Sequence, residues 1–258
     1  MSNPSTNSTS NRGNEWWESF FTGLWLKVQR DVKNPEQSRE EAGYVEQALA
    51  LEPGSKVLDV PCGVGRLSLE LADRGHQVTG IDITGPFVDD ARHEAERRGL
   101  SVGWYERDMR DISWTEEFDA VACFWGSFGY FDEEGNREFL KNVANCLKSG
   151  GRFLVDTHVT ETLLPRLSQM RSWKRVSETI VLEDHDYDHV TSRTETKWTL
   201  IGDGEIFEES TSIRLYSYRE LCSMLADVGL SAPEASGRLC QRPFGLESSR
   251  LWLVTTKK

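Results

Sequence analysis

The sequence has no apolar run near the roughly 18 residues that a bilayer span requires, so no membrane partner is expected. Cysteine is sparse, with five residues at 62, 123, 146, 222 and 240. They fall in no paired metal-ligand spacing, and the odd count fits reduced cytosolic thiols better than a disulfide framework. Histidine is equally scarce, at five. His185 and His189, beside Asp184, Asp186 and Asp188, read as a solvated acidic turn sooner than as ligands, so no metal is expected. Basic charge is in deficit: 30 Lys and Arg stand against 42 Asp and Glu, for a net charge of −12. That surface suits nucleic acid poorly. Residues 1–14 are polar and hold no hydrophobic segment, so they do not read as a secretory signal and are expected to be a disordered tail. A cytoplasmic protein, monomer or homodimer, is the expectation.

What the chain does have is concentrated at residues 55–82. Val57 to Val60 is a short apolar run holding one Asp. Gly63 and Gly65 permit a tight turn that brings backbone close to a ligand. Leu67, Leu71 and Ala72 give the next helix an inward face, and its N-terminus offers unpaired N–H groups. Gln77 to Ile81 reads as the second strand, with Asp82 at its C-terminal tip, where open α/β sheets bind ligands. A dinucleotide fingerprint wants a third small residue for close helix packing, and Ser68 stands near that place. Asp59, just before the turn, would repel a pyrophosphate. It would suit a ligand carrying an amino group and a sulfonium.

Leu58 to Gly65 resembles the first motif of the class I S-adenosylmethionine-dependent methyltransferases. The likeness continues through Asp82, Asp108-Met109, Phe118 to Val121 and Leu147 to Gly151. It implies that Asp59, Cys62, Gly63 and Gly65 hold the methionine part of S-adenosylmethionine. It implies further that Asp82, with Ile83 beside it, binds the ribose hydroxyls, that Asp108 and Met109 flank the adenine, and that Phe124 adds to the cofactor wall. Two rivals remain: a nicotinamide-dependent oxidoreductase, and a fold of the same kind serving as a scaffold without methyl transfer.

At 258 residues one domain is the default, spanning 15–258. Strands at 102–106, 118–124 and 152–156 alternate with helices at 87–98 and 133–147, the last closed by Gly150-Gly151. The alternation predicts a doubly wound, Rossmann-like, mostly parallel sheet. Its antiparallel last strand is placed at 250–255. Residues 15–50 are expected to be helical, with one aromatic helix over 15–30 as a lid and a second over 38–51. Residues 160–212 break the alternation. A helix at 161–170 is followed by β-rich runs at 174–182, 190–201 and 205–216, with a hairpin at Gly202-Asp203-Gly204. They read as a β-rich cap for substrate, whose last strand, about 212–216, could rejoin the main sheet.

The acceptor end is less explicit. After strand four the run is Phe124-Trp125-Gly126-Ser127-Phe128-Gly129-Tyr130. An Asn/Asp-Pro-Pro-aromatic motif of nucleobase methylation is absent, and the run is similar to that of small-molecule methyltransferases. A small-molecule acceptor is therefore expected, with Trp25, Trp125, Tyr130 and Arg242 as candidate contacts. His158 and Tyr130 are the candidate catalytic groups, with Asp156 nearby; histidine titrates in the useful range.

Overall fold

The computed structural model describes residues 15–32, 34–167, 171–237 and 242–258. The polar tail at 1–14 and Cys240 lie outside the described residues. In place of one N-terminal helix there are two, α1 (Trp17–Phe20) and α2 (Gly23–Asp31). Thr22 is extended and Gly23 has φ +52°, which breaks the helix between them. α3 (Pro35–Ala48) starts on Asn34, whose side chain accepts from the Glu36 and Gln37 N–H groups.

Strand and helix then alternate: β1 (Lys56–Asp59), α4 (Arg66–Asp73), β2 (Gln77–Asp82), α5 (Gly85–Arg98), β3 (Val102–Glu106), β4 (Phe118–Cys123), α6 (Glu133–Cys146) and β5 (Leu147–Thr157). The expected cap at Gly150-Gly151 is not there. α6 ends at Cys146, Leu147 is already extended, and Gly150, at φ +78°, lies within β5. The pairing of β4 with β5 shifts register at this point, so the glycines kink a strand instead of closing a helix. After β5 come α7 (Thr160–Leu163) and one 3₁₀ turn, Leu164–Arg166, in place of the single helix expected at 161–170, whose positions 168–170 lie outside the described residues.

Four strands follow: β6 (Arg171–Val176), β7 (Thr179–Asp188), β8 (Arg193–Gly202) and β9 (Glu205–Arg214). The run expected at 174–182 is split by a turn at Ser177, φ +49°. α8 (Tyr218–Asp227), capped by Ser217 and Glu220 in a reciprocal box, leads to β10 (Glu234–Ser236) and β11 (Leu251–Thr256).

The main sheet has the order β10-β11-β5-β4-β1-β2-β3. β5, β4, β1, β2 and β3 pair in parallel, while β11 runs antiparallel to β5 and to β10. Its central strands are apolar because helices cover both faces. Residues from β4, β5, α6, α8 and β11, such as Val121, Phe153, Phe139, Leu225 and Leu253, fill one side. Leu71, Val45, Ala122 and Trp252 fill the other.

β6 to β9 form a separate antiparallel sheet. β9 does not rejoin the main sheet. It stays paired with β8 from Glu205 to Arg214, and the place beside β5 is taken by β11. The inner face of this second sheet offers Val181 and Leu200, with Trp198 and Phe207, to Phe20, Leu24, Trp25 and Val28 of α1 and α2. The fully buried ones, Val181, Leu200, Phe20, Leu24 and Val28, contribute about 1.5–3 kcal/mol each. That packing fixes the N-terminal helices beside the C-terminal edge of the main sheet. No helix among the described residues is long and apolar enough to cross a membrane.

Candidate active site

An open cleft lies at the C-terminal ends of β1, β2 and β4. This is where an open α/β sheet leaves a crevice. The turn after β1 is held from below. Gly65 has φ +74°, and a Cβ there would sit 2.6 Å from the Trp104 ring and 2.8 Å from Ala91 Cβ. A Cβ on Gly80 would meet the same ring at 2.6 Å. Trp104 of β3 thus fills the space under two glycines, opposite Gly80 in the β2–β3 register. Gly63 differs: nothing lies within 4 Å of its would-be Cβ, so its backbone faces open cleft.

Two buried carboxylates fix the turn from its ends. Asp59 Oδ2 accepts from Ser68 Oγ at 2.6 Å. Burial is the main cause that lifts the Asp59 carboxyl to about 7, partly opposed by Ser68. Asp82 accepts from Gly63 N–H and Thr84 N–H, both at 2.8 Å, and burial likewise pushes it upward. Asp108 accepts from Arg110 N–H at 2.8 Å, and Arg110 also reaches Glu15 at 3.0 Å. Met109 beside it is buried. Among the described residues lining the cleft, Arg66 is the one cation, against the carboxylates of Glu41, Asp59, Asp82 and Asp108.

The far wall is a strained loop. Trp125 has φ +67° and Gly126 φ +81°. Asp156 at the end of β5 accepts from Trp125 N–H at 3.1 Å through Oδ2, and its carbonyl accepts from Gly126 N–H at 2.9 Å. Arg250 Nε donates to Asp156 Oδ1 at 2.6 Å. The Trp125 indole N–H donates to Glu41 at 3.3 Å, and the Arg66 guanidinium lies 4.3 Å from the Trp125 ring centre. Tyr130 packs against Trp16, ring centres 4.7 Å apart.

Residues 57–151 match the methyltransferase domain family. A ubiquinone biosynthesis O-methyltransferase from Coxiella burnetii is 27% identical over 190 residues, 73% of this chain and 79% of that protein. A Geobacillus protein named as a methyltransferase is 32% identical over 106 residues. That match takes in 41% of this chain and only 43% of the Geobacillus protein, so the chain spans less than half of that relative's length. The fold is similar to an S-adenosylmethionine-dependent methyltransferase from Clostridium acetobutylicum, TM-score 0.75 at 16% identity over 91% of this chain and 96% of that one. It is similar also to an amino pentose methyltransferase from Micromonospora echinaspora with S-adenosylmethionine bound, TM-score 0.66 at 18% identity over 92% and 98%. These similarities support a class I S-adenosylmethionine-dependent methyltransferase: the domain model matches residues 57–151, and the fold is the one such enzymes share.

The same similarities support S-adenosylmethionine as the cofactor, and the cleft fits it. A buried carboxylate at Asp59 suits the amino group, the bare backbone at Gly63 leaves room for close approach, and Asp82 lies at the tip of β2. Of the residues read from the sequence, the structure places Asp59, Cys62, Gly63, Asp82, Ile83, Asp108, Met109, Phe124, Trp125 and Tyr130 along the cleft. Gly65 supports the turn from behind.

Three expectations fail. Trp25 is buried between α1, α2 and the second sheet, and Trp17 and Phe21 of the same segment line the methyltransferase cleft instead; the helix break at Thr22 rotates Trp25 away. Arg242 is exposed, off the cleft, with its carbonyl accepting from Gly237 N–H. His158 is not at the cleft wall. Its Nε2 lies 3.1 Å from Arg250 Nη1, and burial, then Arg250, depresses it to about 4. A ring engaged by a guanidinium is a poor base.

Sequence reading also missed Ser38, Glu41 and Arg66, which meet at the cleft although α3 and the N-terminus of α4 are far apart in sequence. Nothing in the α3 pattern singles out Glu41. Arg66, directly after the glycine turn, could have been found from its position alone.

Proposed function

We propose that this methyltransferase acts on a small molecule with a nitrogen or oxygen nucleophile. The observation that carries this reading is the aromatic wall of the cleft. Trp17, Phe21, Phe87, Trp125, Tyr130 and Phe131 surround it, and α1 and α2 act as a lid, leaving space for a compact acceptor. Arg66 alone among the described lining residues is too little positive charge for a polyanion. The Coxiella relative named for ubiquinone biosynthesis and the Micromonospora neighbour named for amino pentose methylation support the same class of acceptor.

The cofactor supplies an electrophilic methyl on a sulfonium. The protein's part is to bind and align. Asp59 takes the amino group, Arg66 the carboxylate end, Asp82 the ribose hydroxyls, and Asp108 with Met109 borders the adenine. Asp156 and Arg250 hold the Trp125-Gly126 backbone, so the loop beside the acceptor is preset. Such alignment is worth about 7–11 kcal/mol of barrier. Burial raises the Tyr130 phenol to about 12, so at neutral pH it donates or packs and does not serve as base. An amine that arrives uncharged needs no base here, whereas a hydroxyl acceptor must give up its proton as the bond to the methyl forms.

The test is turnover with S-adenosylmethionine against amines, phenols, thiols and carboxylates, with oligonucleotides as control. Methylation of a small amine or hydroxyl compound is the expected result. Methylation of oligonucleotides alone would refute the acceptor class. Cofactor binding without any turnover would favour the scaffold.

A further inference from the structure

The outer face of the second sheet carries an apolar band unlike the rest of the surface. Cross-strand register places side chains in rows on one face. One row is Arg175, Ile180, Ile201 and Ile206; the next is Trp173, Leu182, Thr199 and Glu208; the third is Arg171, Asp184, Lys197 and Ser210. Trp173 is 70% exposed, Ile206 68%, Ile201 41% and Leu182 38%. The opposite parity, with Val181 and Leu200, is the face already packed on α1 and α2. Exposed apolar side chains on all four strands are not a scatter of single residues. A contiguous patch of this kind marks an interaction surface.

Charge on the same face narrows the partner. The three rows that reach β6 hold three cations, Arg171, Arg175 and Lys197, and two carboxylates, Asp184 and Glu208, with Arg171 paired to Asp184 and Lys197 to Glu208 within the sheet, on a chain whose net charge is −12. The band is therefore a place where two copies can meet without the repulsion felt elsewhere. The signs are also unevenly spread. Arg171 and Arg175 stand on β6 with Trp173, while Glu208 stands on β9 with Ile206. A two-fold axis along the strands would lay β6 of one copy over β9 of the other. Trp173 would then come near Ile206, and Arg175 near Glu208, each one row apart. A single face that holds both halves of a complementary set is what an isologous interface requires.

Size allows it. Four strands about 4.8 Å apart and rows repeating over roughly 20 Å give a face on the order of 400 Å² in plan. With side-chain relief, two such faces exclude on the order of 1200 Å², the low end for a specific interface. We propose that the outer face of β6 to β9 is the contact through which two copies of this chain form a dimer, packed sheet on sheet with β6 of each over β9 of the other.

Sedimentation of the full chain from about 1 to 100 µM tests this, the range in which an interface of this size associates. The wild type should sediment as a dimer in the upper part of that range. Trp173→Glu and Ile206→Lys should each raise the dissociation constant at least about tenfold, with melting temperature and S-adenosylhomocysteine affinity unchanged, since both side chains are exposed. Arg175→Glu and Glu208→Arg should each weaken the dimer, and the two together should restore it. A wild type that is monomeric throughout, or a dimer indifferent to Trp173→Glu and Ile206→Lys, would overturn the contact. Failure of the paired reversal to restore association would overturn the β6-over-β9 arrangement.

Discussion

Asp59→Asn separates the structural role of the buried carboxylate from the cofactor role proposed for it. The amide keeps the shape and can still accept from Ser68 Oγ, which lies 2.6 Å away, but it has no charge for the cofactor's amino group. Hydrogen bonds to a charged group are worth about 1.5–3 kcal/mol, so S-adenosylhomocysteine affinity at pH 8 should fall roughly 10- to 160-fold. The wild type has its own cost at lower pH. With its carboxyl at about 7 in the free protein, Asp59 must lose a proton to receive a cation. Its affinity should therefore drop about tenfold between pH 8 and pH 6, while that of the mutant stays flat. Calorimetric titration in buffers of different ionisation enthalpy should count about 0.9 proton released at pH 6 and about 0.1 at pH 8. The free proteins should show the converse in stability. A carboxyl raised above its unfolded value of about 4 favours the protonated fold, so stability is lost as pH climbs towards 7. The amide variant escapes that loss, and at pH 8 it should be the more stable of the two unliganded proteins, by an amount on the order of 4 kcal/mol at most. Wild-type affinity independent of pH from 6 to 8, with no proton released, would refute the placement of Asp59 against the amino group.

Asp82→Ala removes the acceptor of the Gly63 N–H and, with it, the acceptor proposed for the ribose, so S-adenosylhomocysteine affinity should fall by about 1.5–3 kcal/mol; an unchanged isotherm in a folded mutant would take Asp82 out of the site. Trp104→Ala empties the space beneath Gly65 and Gly80 and should cost about 3–5 kcal/mol in a denaturant titration, with a loss under about 1 kcal/mol showing that the turn needs no such support. His158→Ala should leave the pH dependence of turnover unaltered, because Arg250 already occupies Nε2; loss of an inflection between pH 5 and 8 would restore His158 as a base. Asp156→Asn weakens the hold on both Arg250 and the Trp125 backbone and should cost about 3–5 kcal/mol of stability, as for a broken buried pair; an unshifted melting temperature would show that the loop keeps its form unaided.

The sequence was most legible where periodicity and local chemistry point the same way. The parallel strands around β1, with Asp59, the glycine turn and Asp82, follow from apolar runs, turn residues and carboxylates at strand tips, all local signals. The antiparallel β11 also follows, from one apolar run near the chain's end. What local pattern does not carry is which surface a residue meets. Trp16, Trp17, Phe20, Phe21 and Trp25 share one helical stripe in sequence. Yet within α1 Trp17 turns to the cleft and Phe20 to the second sheet, Phe21 lines the cleft, and beyond the break at Thr22 Trp25 rejoins Phe20. Gly150-Gly151 has the composition of a helix cap, but the Lys257 carbonyl, just past β11, accepts the Gly150 N–H and makes the pair part of a strand.

The acceptor loop shows how the two halves of the chain depend on each other. Trp125 and Gly126 both hold positive φ, a conformation that costs on the order of 1–3 kcal/mol at a non-glycine residue. Asp156, one strand away, offers its side chain to Trp125 N–H and its carbonyl to Gly126 N–H. A lone buried carboxylate would itself be unfavourable there, and burial does push Asp156 upward. Arg250, at the entrance to the last strand, supplies the counter-charge. The antiparallel strand at the end of the chain is thus more than a cover for β5. By delivering Arg250 to Asp156 it fixes the backbone on which Trp125 stands, and through Trp125 it reaches Glu41 of α3 and Arg66 at the glycine turn. Cofactor end and acceptor end are joined by that chain of contacts, whose members lie far apart in sequence.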